Sequence, residues 1–237
     1  MGFLEKIFAG NVLYYPGCLT KFVAKDIEDN YIKILQKIGI DFIQLKDLEV
    51  CCGSPILNSG HRKEAIELAE KNLKIFKEHG IKKIITSCPA CYKTFSVDYP
   101  KLIKDWNIEV EHITVTIDRS IKEKKISPKN LHLKFTYHDP CHLSKHCKII
   151  KEPREILKNI GELKEMRLSG ENSFCCGAGS GVKNNYKELA NEIAVEKNKM
   201  IKETNCKIVI TTCPMCYLHL KENSKDIEVK ELSEVIK

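Results

Sequence analysis

The sequence predicts an α/β protein of two pseudo-symmetric repeats. Each is a mostly parallel sheet flanked by helices, with its cysteine loops at the C-terminal ends of the strands. Three observations predict this. First, ten of the twelve cysteines form two copies of one pattern: a single cysteine, an adjacent pair followed by glycine, and a Cys-x-x-Cys. The first copy is Cys18, Cys51, Cys52, Cys88 and Cys91; the second is Cys141, Cys175, Cys176, Cys213 and Cys216. Second, the copies lie at a nearly fixed offset: 123 residues from Cys18 to Cys141, 124 from Cys51 to Cys175 and 125 from Cys88 to Cys213. The flanking text repeats as well, Ile85-Thr86-Ser87-Cys88-Pro89-Ala90-Cys91-Tyr92 against Ile210-Thr211-Thr212-Cys213-Pro214-Met215-Cys216-Tyr217, and a fixed period with matching motifs marks an internal repeat. Third, short apolar runs alternate with amphipathic stretches, the pattern of a parallel sheet with crossover helices.

The elements follow in order. Asn11 to Tyr15 is an apolar run stopped by Pro16-Gly17, hence a strand and a turn. Phe22 to Ile38 has helical spacing through Ile27, Tyr31, Ile34, Leu35 and Ile38 and is closed by Gly39. Asp41 to Leu45 reads as a second strand, and His61 to His79 as an amphipathic helix closed by Gly80. Ile81 to Thr86 is a third strand, followed by a helix opening at Pro89, where proline suits the first turn. Ile108 to Ile113 is a fourth strand, and Thr114 to Lys124 a further helix. In the second repeat Leu131 to Tyr137 is a strand, Pro153 to Ile160 a helix and Leu163 to Leu168 extended. Lys183 to Lys202 is a long helix, Lys207 to Thr211 a strand, Pro214 to Lys221 a helix and Ile227 to Lys230 the last strand. The repeats span 1–124 and 131–237, and the charged stretch Lys122 to Asn130, which holds Pro128, joins them. Every cysteine group follows a strand. Ligands of open parallel sheets gather beyond the carboxyl ends of the strands, so three loops distant in sequence are expected to meet at one edge.

Composition narrows the class. A chain of 237 residues with 43% hydrophobic content can bury a sizeable core. No run approaches the roughly 18 apolar residues of a membrane span, and Met1 to Gly10, with Phe3, Leu4, Ile7 and Phe8, is too short for a signal sequence. A cytoplasmic location is expected, membrane association arising only through a partner. Thiols there stay reduced, so clustered cysteines read as metal or redox sites. The abundance of lysine with only four arginines hints at a hyperthermophile, where intracellular disulfides also occur. The net charge of +7 is spread along the chain without a basic block. This reads as a solvated lysine surface, or one that docks an acidic electron carrier; no nucleic-acid motif accompanies it.

Five thiols per half leave three chemistries open: an iron–sulfur cluster, zinc, and thiol–disulfide exchange. A structural zinc site takes four ligands, one fewer than each half offers, and neighbouring cysteines point in diverging directions. A multi-iron cluster is larger and is held by thiolates. Gly53 and Gly177 would let the backbone turn sharply and approach such a group. A helix opening at Cys-Pro-x-Cys would add N–H groups and a positive dipole end that stabilise sulfur anions.

The doubled Cys, Cys-Cys-Gly, Cys-Pro-x-Cys pattern resembles the cysteine-rich CCG family. That family includes a component of heterodisulfide reductase and the iron–sulfur subunits of lactate, glycolate and glycerol-3-phosphate oxidation systems. The resemblance covers essentially the whole chain, including Tyr14-Tyr15-Pro16-Gly17-Cys18, Tyr137-His138-Asp139-Pro140-Cys141-His142 and Glu171-Asn172-Ser173-Phe174-Cys175-Cys176-Gly177-Ala178-Gly179. It implies two 4Fe–4S clusters, non-cubane and each held by five cysteines, although zinc occupies one half in some relatives. It implies an electron-transferring and catalytic subunit of a multi-subunit oxidoreductase that reduces a small-molecule disulfide. Relay of electrons from a lactate, glycolate or glycerol-3-phosphate dehydrogenase and a zinc-stabilised scaffold without redox chemistry are the alternatives. No ferredoxin-like Cys-x-x-Cys-x-x-Cys-x-x-x-Cys-Pro segment precedes the first strand. The expected partners are therefore a separate ferredoxin-containing iron–sulfur subunit, with or without a flavoprotein subunit.

Outside the ten cysteines, Cys206 reads as a small buried residue and Cys147 as loop packing. Tyr92 and Tyr217 read as packing residues, and Asp139 as an acceptor of local backbone bonds in a turn. His142 is the candidate catalytic residue, a proton donor as a disulfide sulfur is reduced. The second repeat is also richer in glycine and histidine around its cysteines, with Gly177, Gly179, Gly181, His138, His142 and His146. That places it nearer the chemistry and the first repeat, with Leu19 and Phe22, behind an apolar wall.

Overall fold

Residues 11–236 are described by the structure, a computed structural model; the reading of Met1 to Gly10 lies outside them. Two parallel sheets carry the fold. The first has the order β1 (Asn11–Tyr15), β2 (Ile81–Thr86), β3 (Glu109–His112). The second has the order β5 (Gly161–Lys164), β4 (Leu133–His138), β6 (Ile208–Thr211), β7 (Glu228–Glu231). Their registers correspond: Tyr15 pairs with Thr86 as His138 pairs with Thr211, and Thr86 with His112 as Thr211 with Glu231.

The sheets differ at one edge. Beside β4 the second sheet adds β5, whereas beside β1 the first has only a single parallel bridge between Leu13 and Ile43. The strand expected over Asp41 to Leu45 is thus reduced to two backbone bonds, Ile43 N to Val12 O at 2.8 Å and Tyr14 N to Ile43 O at 3.0 Å. Lys46, with φ of 47°, then turns the chain into a short 3₁₀ turn, Lys46–Leu48, and ends the pairing. In the second half the extended run stops at Lys164 rather than reaching Leu168.

Seven helices flank the first sheet and its loops: α1 (Cys18–Phe22), α2 (Lys25–Ile38), α3 (Ser54–Asn58), α4 (Arg62–Glu78), α5 (Pro89–Lys93), α6 (Tyr99–Leu102) and α7 (Ile113–Lys122). The helix expected from Phe22 is broken at Ala24, whose φ of −117° and ψ of 56° are not helical, so α1 belongs to the cysteine loop and α2 to the core. Gly39 closes α2 in the left-handed conformation, as its sequence position suggests. Between α5 and α6 five residues of π-helix, Thr94–Asp98, widen the turn ahead of Pro100. Proline has no N–H to give to the preceding turn, and a local widening is how a helix absorbs such a defect. The second half supplies α8 (Lys151–Lys158), α9 (Val182–Asn185), α10 (Lys187–Glu203), α11 (Pro214–Asn223) and α12 (Leu232–Val235). Tyr186, at φ of −140° and ψ of 64°, divides α9 from α10 where one continuous helix was expected.

Side chains alternate across the strands and so feed two cores. Leu13, Tyr15 and Ile84 join Phe76, Phe95 and Tyr99 in a cluster confined to the first half. Tyr14 and Ile85 face the other way, into a cluster shared by both halves. There Tyr31, Ile34, Leu35 and Ile38 of α2 belong with Ile117, Phe135, Tyr137, Val209, Ile210 and Leu232. Across it the Tyr31 hydroxyl donates to Glu231 Oε1 at 2.7 Å. Among the described residues no helix is long and apolar enough to cross a membrane.

Candidate metal centre

The strand ends deliver the cysteines. Cys88 and Cys213 lie two residues beyond β2 and β6 and cap α5 and α11. Cys18 and Cys141 follow β1 and β4 directly, while Cys51-Cys52 and Cys175-Cys176 come from the loops ahead of α3 and α9. All ten line one cleft of about 220 Å³, together with Gly17, Leu19, His142 and Met215. The first set opens onto the same space as the second, so Leu19 does not wall it off. Phe22 is 70% exposed and turns to solvent instead.

Within each set the thiols touch in the same order. Contacts run from Cys18 to Cys51, Cys52, Cys91 and Cys88, and from Cys141 to Cys175, Cys176, Cys216 and Cys213. Cys176 Sγ and Cys216 Sγ are 3.3 Å apart. All twelve cysteines lie among the described residues and none is in a disulfide. Each Cys-Cys-Gly turn aims a backbone N–H at its first sulfur, Gly53 N to Cys51 Sγ at 3.4 Å and Gly177 N to Cys175 Sγ at 3.3 Å.

The electrostatics follow from these contacts. Hydrogen bonds from Cys18 and Cys52, then from Gly53, pull the Cys51 thiol down to about 2. Cys141, Cys176 and Gly177 act likewise on Cys175 and lower it far below the usual thiol range. Donation to those sulfurs raises Cys18 and Cys141. Cys88 is lowered to about 7 by the Cys91 thiol and by the N–H groups of Cys91 and Ala90 at the start of α5. Each half therefore places an anionic sulfur in the middle of a ring of donors, an arrangement that suits thiolate ligation.

The supporting residues repeat only in part. The Tyr14 hydroxyl bonds Ser87 Oγ at 3.2 Å, and the Tyr137 hydroxyl bonds Thr212 Oγ1 at 2.9 Å, steadying the Cys-Pro-x-Cys loop in each half. In the first half Asn72 Nδ2 donates to Cys51 O at 2.9 Å and the Tyr99 hydroxyl to Cys52 O at 3.0 Å. In the second, Asp139 accepts two bonds from Arg154, at 2.7 and 2.9 Å, and one from Gly170 N at 2.8 Å. Asp139 thus ties distant segments together rather than closing the local turn expected of it.

The glycines act differently from the expectation drawn from their positions in sequence. Gly177 has φ of 93°, but a Cβ there would meet Ala190 O at 2.6 Å, so what it admits is α10. Gly17, at φ of 84°, is the glycine whose missing Cβ makes room for sulfur: the added atom would lie 3.1 Å from Cys91 Sγ and 3.2 Å from Cys88 Cβ.

His142 lines the cleft with Nδ1 3.7 Å from Cys141 Sγ, and burial lowers its pKa. Cys206 is buried as expected. Cys147 does not line the cleft; it lies by Ser96, and burial pushes its thiol up to about 11. Tyr217 is buried on α11, and Tyr92 packs edge-on to His112 at 5.8 Å.

Two site residues are not evident from sequence alone. His138 is 1% exposed, neither ring nitrogen has a hydrogen-bond partner, and its donor atoms lie within 4.8 Å of the Cys176 and Cys216 sulfurs. Lys197 on α10 is fully buried, and its Nζ is also unpartnered. The signal for Lys197 is present in the repeat. Aligning α4 with α10 puts it opposite Asn72, while the general amphipathicity of the segment hides it.

The donor set fits an iron–sulfur cluster in each half: five contiguous thiols, an anionic sulfur in each set, and at Gly17 a backbone that leaves the sulfurs room. The model of the family described as "Cysteine-rich domain", CCG, matches residues 12–96 and 135–221. An uncharacterised iron–sulfur protein of Methanocaldococcus jannaschii is 37% identical over 90% of the chain and 42% of its own length. A subunit of the dihydromethanophenazine:CoB–CoM heterodisulfide reductase of Methanosarcina acetivorans is 34% identical over 94% of the chain and 57% of its own. A subunit of the fumarate reductase (CoM/CoB) of Methanothermobacter marburgensis is 31% identical over 99% and 48%. The chain thus spans about half the length of these curated relatives.

Proposed function

Because the chain belongs to the cysteine-rich CCG domain family, whose iron–sulfur members include subunits of multi-subunit oxidoreductases, we propose that it is an electron-transferring and catalytic iron–sulfur subunit that reduces a disulfide. The observation that carries this reading is the single cleft lined by all ten cysteines. Each half holds one 4Fe–4S cluster of non-cubane type through its five cysteines. The clusters supply electrons one at a time, so two facing one cleft match the two electrons and two protons that convert one disulfide into two thiols. The residues of the chain bind and position. Gly17 keeps the backbone clear of the sulfurs, the Gly53 and Gly177 amides hold the anionic Cys51 and Cys175, and His142 at the cleft wall delivers a proton to the departing sulfur. Electrons arrive from a ferredoxin-containing iron–sulfur subunit, with or without a flavoprotein behind it, in the cytoplasm or at a membrane to which a partner holds the chain.

A second reading has an observation of its own. The grouped donors of His138, Cys176 and Cys216, with Cys213 touching Cys216, suit the nitrogen and sulfur preference of zinc. The second half, or both halves of a scaffold without redox chemistry, would then hold zinc. Relay from a 2-hydroxy-acid or glycerol phosphate dehydrogenase is the other redox assignment. Iron, acid-labile sulfide and zinc are to be measured on anaerobically purified protein. The expected result is iron and sulfide in both halves, with Cys52→Ser and Cys176→Ser each losing about half of the iron. About one zinc per half without labile sulfide overturns the cluster reading.

A further inference from the structure

The halves agree at the cysteines and differ one layer behind them. Helices α4 and α10 correspond end to end, Arg62 with Lys187 and Glu78 with Glu203, an offset of 125. The buried Ala65 and Ala69 fall on the buried Ala190 and Ala194. On this alignment Asn72 of the first half corresponds to Lys197 of the second. Asn72 uses its Nδ2 on the Cys51 carbonyl and on the Tyr99 hydroxyl, both at 2.9 Å. Lys197 is just as buried, at 0% exposure, and its Nζ has no hydrogen-bond partner. Asp139 and the sulfurs of Cys175, Cys176 and Cys216 are the anionic groups that act on it, and His138 also faces it. Asp139 is already engaged by Arg154 and the Gly170 amide, which leaves the sulfurs.

The register-matched strand ends differ in the same place. Tyr15 spends its hydroxyl on Val50 O at 2.7 Å. Its counterpart His138 keeps two buried, unpartnered ring nitrogens within reach of Cys176 and Cys216. An unpaired buried ammonium is among the costliest groups a fold can carry. The equivalent site accepts a neutral amide, so helix packing alone does not require a lysine. The cost is offset if whatever the second set of sulfurs holds brings net negative charge.

We propose that Lys197 is a positioning residue of the second cysteine site. Its ammonium is the fixed counter-charge of the anionic group held by Cys141, Cys175, Cys176, Cys213 and Cys216, and it makes that group easier to reduce than its counterpart in the first half. This rests on the reading that both sites hold iron–sulfur clusters. Adding an electron makes a cluster more negative. A positive charge in the same low-dielectric surroundings favours the reduced form, and net charge and hydrogen bonds to sulfur are the levers that set such potentials. The first site has only the dipole of Asn72 in that position. One electron from an iron–sulfur donor protein therefore settles on the second site before the first, and the pair is polarised toward the second half.

The test is a redox titration of the anaerobic protein followed by electron paramagnetic resonance, with iron and labile sulfide measured on the same samples. The resonances are assigned by their loss in Cys52→Ser or Cys176→Ser. Lys197→Met is expected to lower the midpoint potential of the second centre and leave the first in place, and Lys197→Arg to restore it toward the starting value. Full iron with both potentials unchanged, or both lowered equally, overturns the proposal. If Lys197→Met loses the second centre, retention in Lys197→Arg with loss in Lys197→Gln supports the counter-charge; full iron at the original potential in Lys197→Gln overturns it. Absence of labile sulfide from the unsubstituted protein is a separate outcome, which removes the cluster reading itself and the proposal with it.

Discussion

His142 and His138 meet the same cysteine set from different positions. His142 stands on the cleft wall, where an incoming disulfide would lie, and its first-half counterpart is Leu19, which lines the cleft without a titratable group. His138 lies behind the sulfurs at the end of β4 and is closed to solvent. A proton donor must reach the reacting atom, so the catalytic role belongs to His142. A general acid contributes about 10²- to 10⁴-fold. His142→Gln is therefore expected to lower disulfide turnover with an artificial electron donor by about 100-fold or more while iron content stays the same. Turnover within a factor of two would remove His142 from the mechanism. Both histidines stand in the same Tyr-His-Asp-Pro-Cys-His text, and which one faces the cleft is not legible there. That depends on where β4 ends and the chain turns, a matter of one or two residues.

At the scale of elements, β7 shows how a strand end can store a charge. Glu231 is wholly buried, accepts from the Tyr31 hydroxyl at 2.7 Å and from Ser233 N at 2.7 Å, and caps α12. Burial raises its carboxyl from the usual 4.5 to about 7. The folded protein then holds a proton that the unfolded chain releases once pH passes 4.5, so this group's contribution to stability falls between pH 4.5 and about 7 and is level above that. Denaturation midpoints are expected to drop across that window, and Glu231→Gln, which still offers Tyr31 and Ser233 a partner, is expected to remove that part of the drop. An unchanged slope would mean that other groups set it. Neither α12 nor this cap is legible in the sequence, because four residues carry too little periodicity to be read. The strand Ile81 to Thr86 is legible to the residue, since its apolar run ends at a Cys-Pro that cannot continue it. The Asp41 to Leu45 run misleads because one bridge and a turn at Lys46 replace a ladder. Tertiary pairing decides that, and the local pattern does not carry it. The π-helical turn before Pro100 is hidden for a like reason: sequence shows the proline but not how the chain absorbs it.

For the whole molecule, the doubled cysteine pattern makes the repeat plain but does not show how closely its halves depend on each other. The shared core places Tyr31, Ile34, Leu35 and Ile38 of the first half against residues of the second. Burying a side chain such as Leu35 contributes about 1.5–3 kcal/mol, so a half expressed alone exposes several such groups. Fragments 1–124 and 131–237 are each expected to lack a cooperative thermal transition, and mixing them is expected to restore one. A sharp transition in either fragment alone would show that the repeats are independent domains.

The pairing of Tyr31 with Glu231 joins residues 200 positions apart, and this sets an order of events on the ribosome. Chains are made from the N-terminus at about 5–20 residues per second. The five thiols of the first set and the apolar face of α2 therefore emerge well before β7 exists to cover that face. For that interval of about ten seconds or more the nascent chain carries an open hydrophobic surface beside an incomplete set of metal ligands. Insertion of the metal groups is then best timed after release, when the last strand has closed the shared core and both cysteine sets stand ready together.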